Sequence, residues 1–219
     1  MSVYPQQNKS VYKTGGVYSG PNVYDKWGGA DNVIGGRTYR TVEIGGKTWL
    51  AENLDFEWPG LVVGGGGVPT TPAAWYYDNN ASLWGVDGTR KCGLLYNWYA
   101  VQYLENHKAT LCPGWHVPTK IEWDNLFSSV GGSATAAKQL KAYNVSWATG
   151  WNGQDNFGFT IYPGGNYYGA FYDSVYYAYF WTITLSGSNA YYKLFQNTDA
   201  PTEQSFDKRR AMSLRLVHD

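Results

Sequence analysis

An α+β domain follows from how pattern is distributed along this chain. Helical periodicity is confined to the middle, around residues 96–142, while short strand-like runs occupy both ends. The composition agrees: 20 Tyr, 11 Trp and 27 Gly in 219 residues describe an aromatic core with many turns, unlike a helical bundle. A chain of this length buries a sizeable core without a disulfide or a metal. The expected architecture has short twisted strands, two to three helices, and N- and C-terminal strands paired with each other.

Taken in order, residues 1–36 read as an extended aromatic arm. Tyr4, Tyr12, Tyr18, Tyr24 and Trp27 recur singly among turn residues without a helical or solenoid period. Five aromatics weigh against disorder, so the arm is expected to pack on the domain or on a second copy, giving a homo-oligomer. The domain proper is placed at 37–219. Thr38 to Asn53 reads as a hairpin: Val42 and Ile44 alternate with polar residues, Gly45-Gly46 turns, and Lys47 to Leu50 returns. Gly60 to Pro72, with four consecutive glycines at 64–67, reads as a loop from which no packed element can be built. A helix is expected over Tyr96–Leu104. The strongest helical signal follows Pro118, where Thr119 and Glu122 make a capping box. Trp123, Leu126, Phe127 and Val130 then share one face, and Gly131-Gly132 stops the helix. A shorter helix is expected over Ser133–Ala142. Beyond it, Phe157–Ile161, Tyr179–Thr184, Ala190–Phe195 and Met212–Val217 read as strands. Trp49, Trp98, Trp115, Trp123, Phe159 and Trp181 are expected in the core.

Charge excludes some function classes. Lys plus Arg and Asp plus Glu both number 17, so no global field draws the chain to nucleic acid. No apolar run approaches the roughly 20 residues of a membrane span, and no membrane insertion is expected. The opening ten residues have no apolar h-region, so they do not read as a secretory signal. Catalytic patterns are missing as well. Gly46-Lys47-Thr48 resembles the end of a P-loop, but residue 41 is Thr and the trio sits in a hairpin turn. There is no H-E-x-x-H, C-x-x-C or G-x-S-x-G, and His107, His116 and His218 lack ligand spacing. His116, between Trp115 and Val117, reads as a satisfied core or semi-buried histidine. Asp155-Asn156 and Asp78-Asn79-Asn80 offer oxygens to calcium, but turn capping is the commoner use of such residues. No cofactor and no metal are expected. Cys92 and Cys112 are either one disulfide or two buried thiols.

One segment carries recognition chemistry. Asn166 to Tyr179 holds six Tyr in fourteen residues, and the remainder are small or turn-forming apart from Phe171 and Val175. Tyr supplies rigid contact area with a polar tip at low entropic cost, the chemistry of antibody-like paratopes. The expected binding face is Tyr167, Tyr168, Tyr172, Asp173, Ser174, Tyr176, Tyr177 and Tyr179, with Tyr192 from the next strand. Phe171, Phe180 and Trp181 are expected to point inward and hold it rigid.

The ordered motifs resemble a known family. Thr41 to Leu54 (TVEIGGKTWLAENL), Leu95 to Ala100 (LYNWYA), Leu111 to Thr119 (LCPGWHVPT) with Glu122-Trp123, Asn156 to Phe159 (NFGF), Pro163-Gly164-Gly165, Phe180-Trp181 and Ser213 to Val217 resemble the Fibrobacter-type major paralogous domain. That family is similar to the formylglycine-generating-enzyme branch of the C-type lectin fold. The resemblance implies a C-type lectin-like α+β domain with a variable ligand-facing region at about 157–217. Enzymes of the branch use a reactive cysteine pair that neither Cys92 nor Cys112 matches, so no enzymatic role is carried over. The branch also supplies variable proteins of diversity-generating retroelements, among them phage tail-tip receptor binders. All residues from 166 to 179 belong to the set that adenine mutation of AAC-type codons yields. Val175 and Ala178 stand where the family usually has glycine, and Ile183 where it usually has serine.

The function this implies is recognition of a protein or glycan ligand on a cell surface, from a virion tail or a cell surface, with the gene diversified by a retroelement. A non-diversified adhesive or structural surface domain is the first alternative. A formylglycine-generating-type enzyme is the second.

Overall fold

A computed structural model describes residues 32–77, 92–146 and 148–219. The expected arm up to residue 31 lies outside these residues, as does Asp78-Asn79-Asn80. Residues 32–36, assigned to the arm from sequence, belong to the folded body. There β1 (Val33–Ile34) and β2 (Arg37–Thr38) form a short antiparallel hairpin, and Ile34 is buried in the largest apolar cluster.

The expected α+β, C-type lectin-like architecture is corrected by the strand content. Among the described residues, fifteen strands in three sheets outweigh four helices, and the longest helix has only 10 residues, so the domain is β-rich. Short pairings that carry no alternation in the sequence make the difference. One is β5 (Val62–Val63), inside the segment read as a loop without packed elements. It pairs in parallel with β6 (Ala73–Trp75).

A four-stranded sheet has the order β3 (Thr41–Ile44), β4 (Lys47–Leu50), β15 (Val217–His218), β8 (Trp115–His116). The β3–β4 turn is Gly45-Gly46 with φ of 63° and 74°, a left-handed pair that only glycine adopts freely and that matches strand twist. Val217 faces Trp49, so the closing strand pairs with the opening hairpin. The nine-stranded sheet runs β13 (Thr202–Phe206), β12 (Asn189–Phe195), β11 (Ala178–Ser186), β9 (Gly164–Tyr167), β14 (Ala211–Met212), β7 (Leu95–Asn97), β6, β5, with β10 (Phe171–Ser174) attached to β9.

The helices begin where side chains can cap them. Asn97 ends β7 and caps α1 (Trp98–Asn106), its side chain accepting from the Ala100 N–H, so the helix starts two residues later than the pattern suggested. A single turn, α2 (Lys108–Leu111), follows. Before α3 (Lys120–Ser129) the full capping box forms: the Thr119 hydroxyl accepts from the Glu122 N–H while the Glu122 carboxylate accepts from the Thr119 N–H. Trp123, Leu126, Phe127 and Val130 are all buried, as their spacing requires. The expected 133–142 helix contracts to α4 (Ala136–Leu140).

Trp123 is the hub of the aromatic core. Its ring lies 5.3–6.0 Å from those of Trp49, Phe127, Phe159, Phe180 and Phe195, in tilted or edge-on arrangements that satisfy ring quadrupoles. Trp98, Trp115 and Trp181 are equally buried in the neighbouring cluster.

The segment Phe157–Ile161 is not a strand. Asp155, Gly158 and Thr160 have φ of 48°, 69° and 59°, which no extended strand contains. The Asp155 carboxylate explains the conformation, accepting from the Thr160 N–H and hydroxyl at 2.8 Å each. That carboxylate is therefore used as a turn cap. The turn aims the Phe159 and Thr160 carbonyls at Arg215, whose side chain is fully buried. Its guanidinium donates to those two carbonyls, to the Leu50 carbonyl and to Asn53 Oδ1, at 2.7–2.8 Å. Burial pushes the Arg215 pKa down to about 9, so the group stays protonated at neutral pH. Expected from this arrangement is a loss of about 3 kcal/mol or more for Arg215→Met, because a filled, cation-matched set of acceptors is left buried without donors. Arg215→Lys should recover only part, since an ammonium cannot span four divergent acceptors. Urea midpoints of the three proteins check this.

Glu122 gives a pH dependence. Burial pushes its carboxyl up, but bonds from the Thr119 N–H, from His116 and from the Thr119 hydroxyl outweigh this and hold it below the ordinary 4.5. A depressed carboxyl contributes stability that is fully present above its unfolded value and is lost as pH falls through the folded one. Stability should therefore drop below about pH 4.5 in the parent protein, and the drop should be shallower in Glu122→Gln, which keeps the cap but cannot titrate. Denaturation at pH 6 and pH 3.5 measures the difference.

Candidate ligand-binding face

The tyrosine-rich segment forms the β9–β10 hairpin and its exit into β11. Phe171 pairs with Tyr167, Tyr172 with Asn166 and Ser174 with Gly164. Gly165 has φ of 67°, and a Cβ there would sit 2.4 Å from the Tyr172 carbonyl, so only glycine permits this hairpin. The chain then turns tightly. The Asp173 carbonyl accepts from the Tyr176 and Tyr177 N–H groups, while Val175 donates to Pro163 and accepts from Thr149. Asp173 and Val175 are held left-handed, with φ of 61° and 66°. A β-branched residue there is strained, and its two backbone bonds over-determine the conformation.

The nine residues expected on the face separate into two groups. Tyr172 and Tyr176 are 48% and 49% exposed, and Tyr168, Asp173, Ser174 and Tyr177 are half-buried. Tyr167, Tyr179 and Tyr192 must be corrected: they are 3%, 6% and 3% exposed and belong to the core. Tyr167 stacks on Trp75 at 4.5 Å. Tyr179 packs on Tyr192 at 5.8 Å, and Tyr192 meets Trp181 edge-on at 6.0 Å. Their hydroxyls find the partners that burial requires: Tyr179 donates to Asp173 Oδ2 at 2.6 Å and Tyr192 to Gln204 Oε1 at 2.7 Å. Burial, and then the Asp173 carboxylate, push the Tyr179 phenol well up. Burial also raises that of Tyr192, opposed by the charge of Arg210.

These buried rings continue outward. Tyr177 lies 6.5 Å from Tyr179, and Tyr176 lies 6.4 Å from Tyr177, so a chain of edge-on and tilted rings runs from Trp181 to the exposed Tyr176. Phe171, expected to point inward, is half-buried against Tyr167 and Tyr77 at 4.8 and 5.0 Å.

Sequence reasoning missed the other wall of this face, formed by the end of β13 and the turn after it. Phe206 meets Tyr168 edge-on at 5.6 Å. Arg209 forks onto Asp207 at 2.5–3.0 Å and donates to the Tyr168 hydroxyl at 3.0 Å. The Arg209 bond in turn holds the Asp207 carboxyl below its ordinary value. The Arg210 guanidinium lies 3.5 Å from the Phe206 ring centre. The run Asp207-Lys208-Arg209-Arg210 was the available signal, but nothing local says that it folds beside Tyr168.

The Cys112 thiol is free, and burial pushes its pKa up to about 12, which makes it inert as a nucleophile. His116 bridges Glu122 at 2.8 Å and Asp219 at 2.6 Å, a structural role. Among the described residues, no group of three or more His, Cys, Asp or Glu is placed to hold a metal. No helix among them is long and apolar enough to cross a membrane.

A β-rich domain with an aromatic and cationic face on a short, strained hairpin is the class defined here. The chain matches the Fibrobacter succinogenes major domain over residues 42–218 and belongs to that family. No curated protein and no solved structure matches it.

The strain at residue 175 is testable. Val175→Gly should raise stability by about 1 kcal/mol, because relief of a left-handed β-branched residue exceeds the added chain entropy of glycine. A melt that is unchanged or lower would show that the Val175 side chain contributes more packing than strain.

Proposed function

We propose that this chain is a non-enzymatic recognition domain that binds a protein or glycan ligand on a cell surface, presented from a virion tail or a cell surface. The observation that carries this reading is the pair Tyr172 and Tyr176, each about half exposed, the first on the β9–β10 hairpin and the second at the outer end of a ring chain that leads to the core. Exposed aromatics held rigid in advance lose little entropy on binding, which is what makes tyrosine effective in recognition. In the diversified form of the reading, a retroelement varies the codons of this segment. The positions able to change without loss of fold are then Tyr168, Tyr172, Ser174, Tyr176 and Tyr177.

Burial favours a second reading. Asn166, Tyr167, Ala178 and Tyr179 lie in the same segment and are core residues, so wholesale variation across 166–179 would destroy the domain. That suits a fixed adhesive domain of the same family. The DNA flanking the gene separates the two: a reverse-transcriptase gene and a near-identical repeat differing at adenines supports diversification, and their lack supports the fixed form.

Tyr172→Ala with Tyr176→Ala should leave the melting curve almost unchanged, since exposed positions shift stability by about 0.5 kcal/mol or less. The same double variant should weaken binding of the labelled protein to a panel of intact bacterial cells by about 2 kcal/mol or more. Tyr167→Ala, by contrast, should unfold the domain more readily by about 3 kcal/mol. Cell binding unaffected by the double variant would remove the recognition reading.

A further inference from the structure

We propose that Arg210 is the docking point for a carboxylate-bearing sugar, so that the ligand of this face is an acidic glycan. The inference rests on the recognition reading and adds the chemistry of the ligand. Three cations follow one another in the turn before β14, and one of them is already neutralised. Arg209 is neutralised by Asp207 and tied to Tyr168. The Lys208 ammonium lies over the Trp98 ring at 4.6 Å. Lys208 is a point charge, whereas Arg210 carries a planar guanidinium. Among the described residues its side chain makes no hydrogen bond and no ion pair, and its buried Nε has no partner. The guanidinium lies 3.5 Å from the centre of the Phe206 ring and 5.8 Å from that of Tyr168. Rings on those sides strip water from the cation and fix its plane. A half-desolvated guanidinium whose two terminal nitrogens carry no partner is matched by a carboxylate, which takes two parallel N–H bonds from that end.

The surroundings favour a sugar over an acidic peptide. Asp173 and the exposed Gln204 border the same cluster, joined to it through the Tyr179 and Tyr192 hydroxyls. Sugar hydroxyls both donate and accept, so they suit a carboxylate and an amide. A run of acidic side chains would instead meet Asp173 and Asp207 with like charge. The half-buried Tyr168 ring, 5.8 Å from the guanidinium, provides an apolar platform for the C–H face of a pyranose.

The test is titration calorimetry of the intact chain with three acidic oligosaccharides (galacturonate, glucuronate and sialic acid-containing) and the methyl ester of each. At least one acid should bind ten-fold or more tightly than its own ester. Arg210→Gln should abolish that preference, and Arg210→Lys, which keeps charge without the fork, should retain only part of it. The proposal is overturned if no acid outbinds its ester, a comparison made on the parent protein and therefore independent of how the variants fold. It is also overturned if a well-folded Arg210→Gln keeps the preference, or if poly-glutamate competes as well as the best acid. Failure here, with cell binding still sensitive to Tyr172 and Tyr176, removes only the acidic-ligand inference. Insensitivity of cell binding to those tyrosines removes the recognition reading itself.

Discussion

Arg215 locks together three distant parts of the chain that strand pairing and aromatic packing also bring to one place. Its guanidinium takes the Leu50 carbonyl and the Asn53 side chain from the opening segment and the Phe159 and Thr160 carbonyls from the middle, and it is itself part of the closing segment. A charge this deeply buried is tolerable only when every available direction is met by an acceptor. That condition fixes the surrounding backbone. Thr160 is left-handed because Asp155 and Arg40 hold its polar atoms while Arg215 takes its carbonyl. The Phe159 ring then lies 4.7 Å from the Arg215 guanidinium on one side and edge-on to Trp123 and Trp49 on the other, so the polar lock and the aromatic core share a residue.

The candidate face depends on that core. Phe180 and Trp181 hold the first half of the long strand β11 in the interior, and Tyr179 and Tyr177 lead from them toward solvent. Rigid display of Tyr176 is thus a property of the packing beneath it. The hairpin also stores strain at Val175, a conformation suited to glycine but occupied here by a branched side chain. Such strain persists where the surrounding hydrogen bonds leave no alternative, and it is commonest where a surface is shaped for contact.

Within one short segment, the same residue type does two jobs. Tyr167 and Tyr179 are interior, with hydroxyls used on Gly65 and Asp173, while Tyr172 and Tyr176 present theirs to solvent. Strand alternation and the turn at Asp173 decide which is which. A face built this way tolerates change only at its solvent-facing positions, and its cationic wall comes from a separate turn more than thirty residues further along the chain.

Local patterns were legible wherever local physics dominates. The Thr119–Glu122 capping box, the apolar face of α3, the Gly45-Gly46 hairpin and the aromatic core positions follow from spacing and turn chemistry over a few residues. The family was legible too, because its motifs are such local signatures. What the sequence alone does not carry is the outcome of long-range competition. Asp155 and Arg215 turned the expected strand at 157–161 into a left-handed turn. Two-residue strands such as Val62–Val63 exist only because a neighbour is present, and their number made the domain β-rich. Tyrosine is equally suited to a core and to a surface, so composition marked the 166–179 segment, but only the tertiary packing decided that Tyr167, Tyr179 and Tyr192 are interior and that Arg210 lies against Phe206.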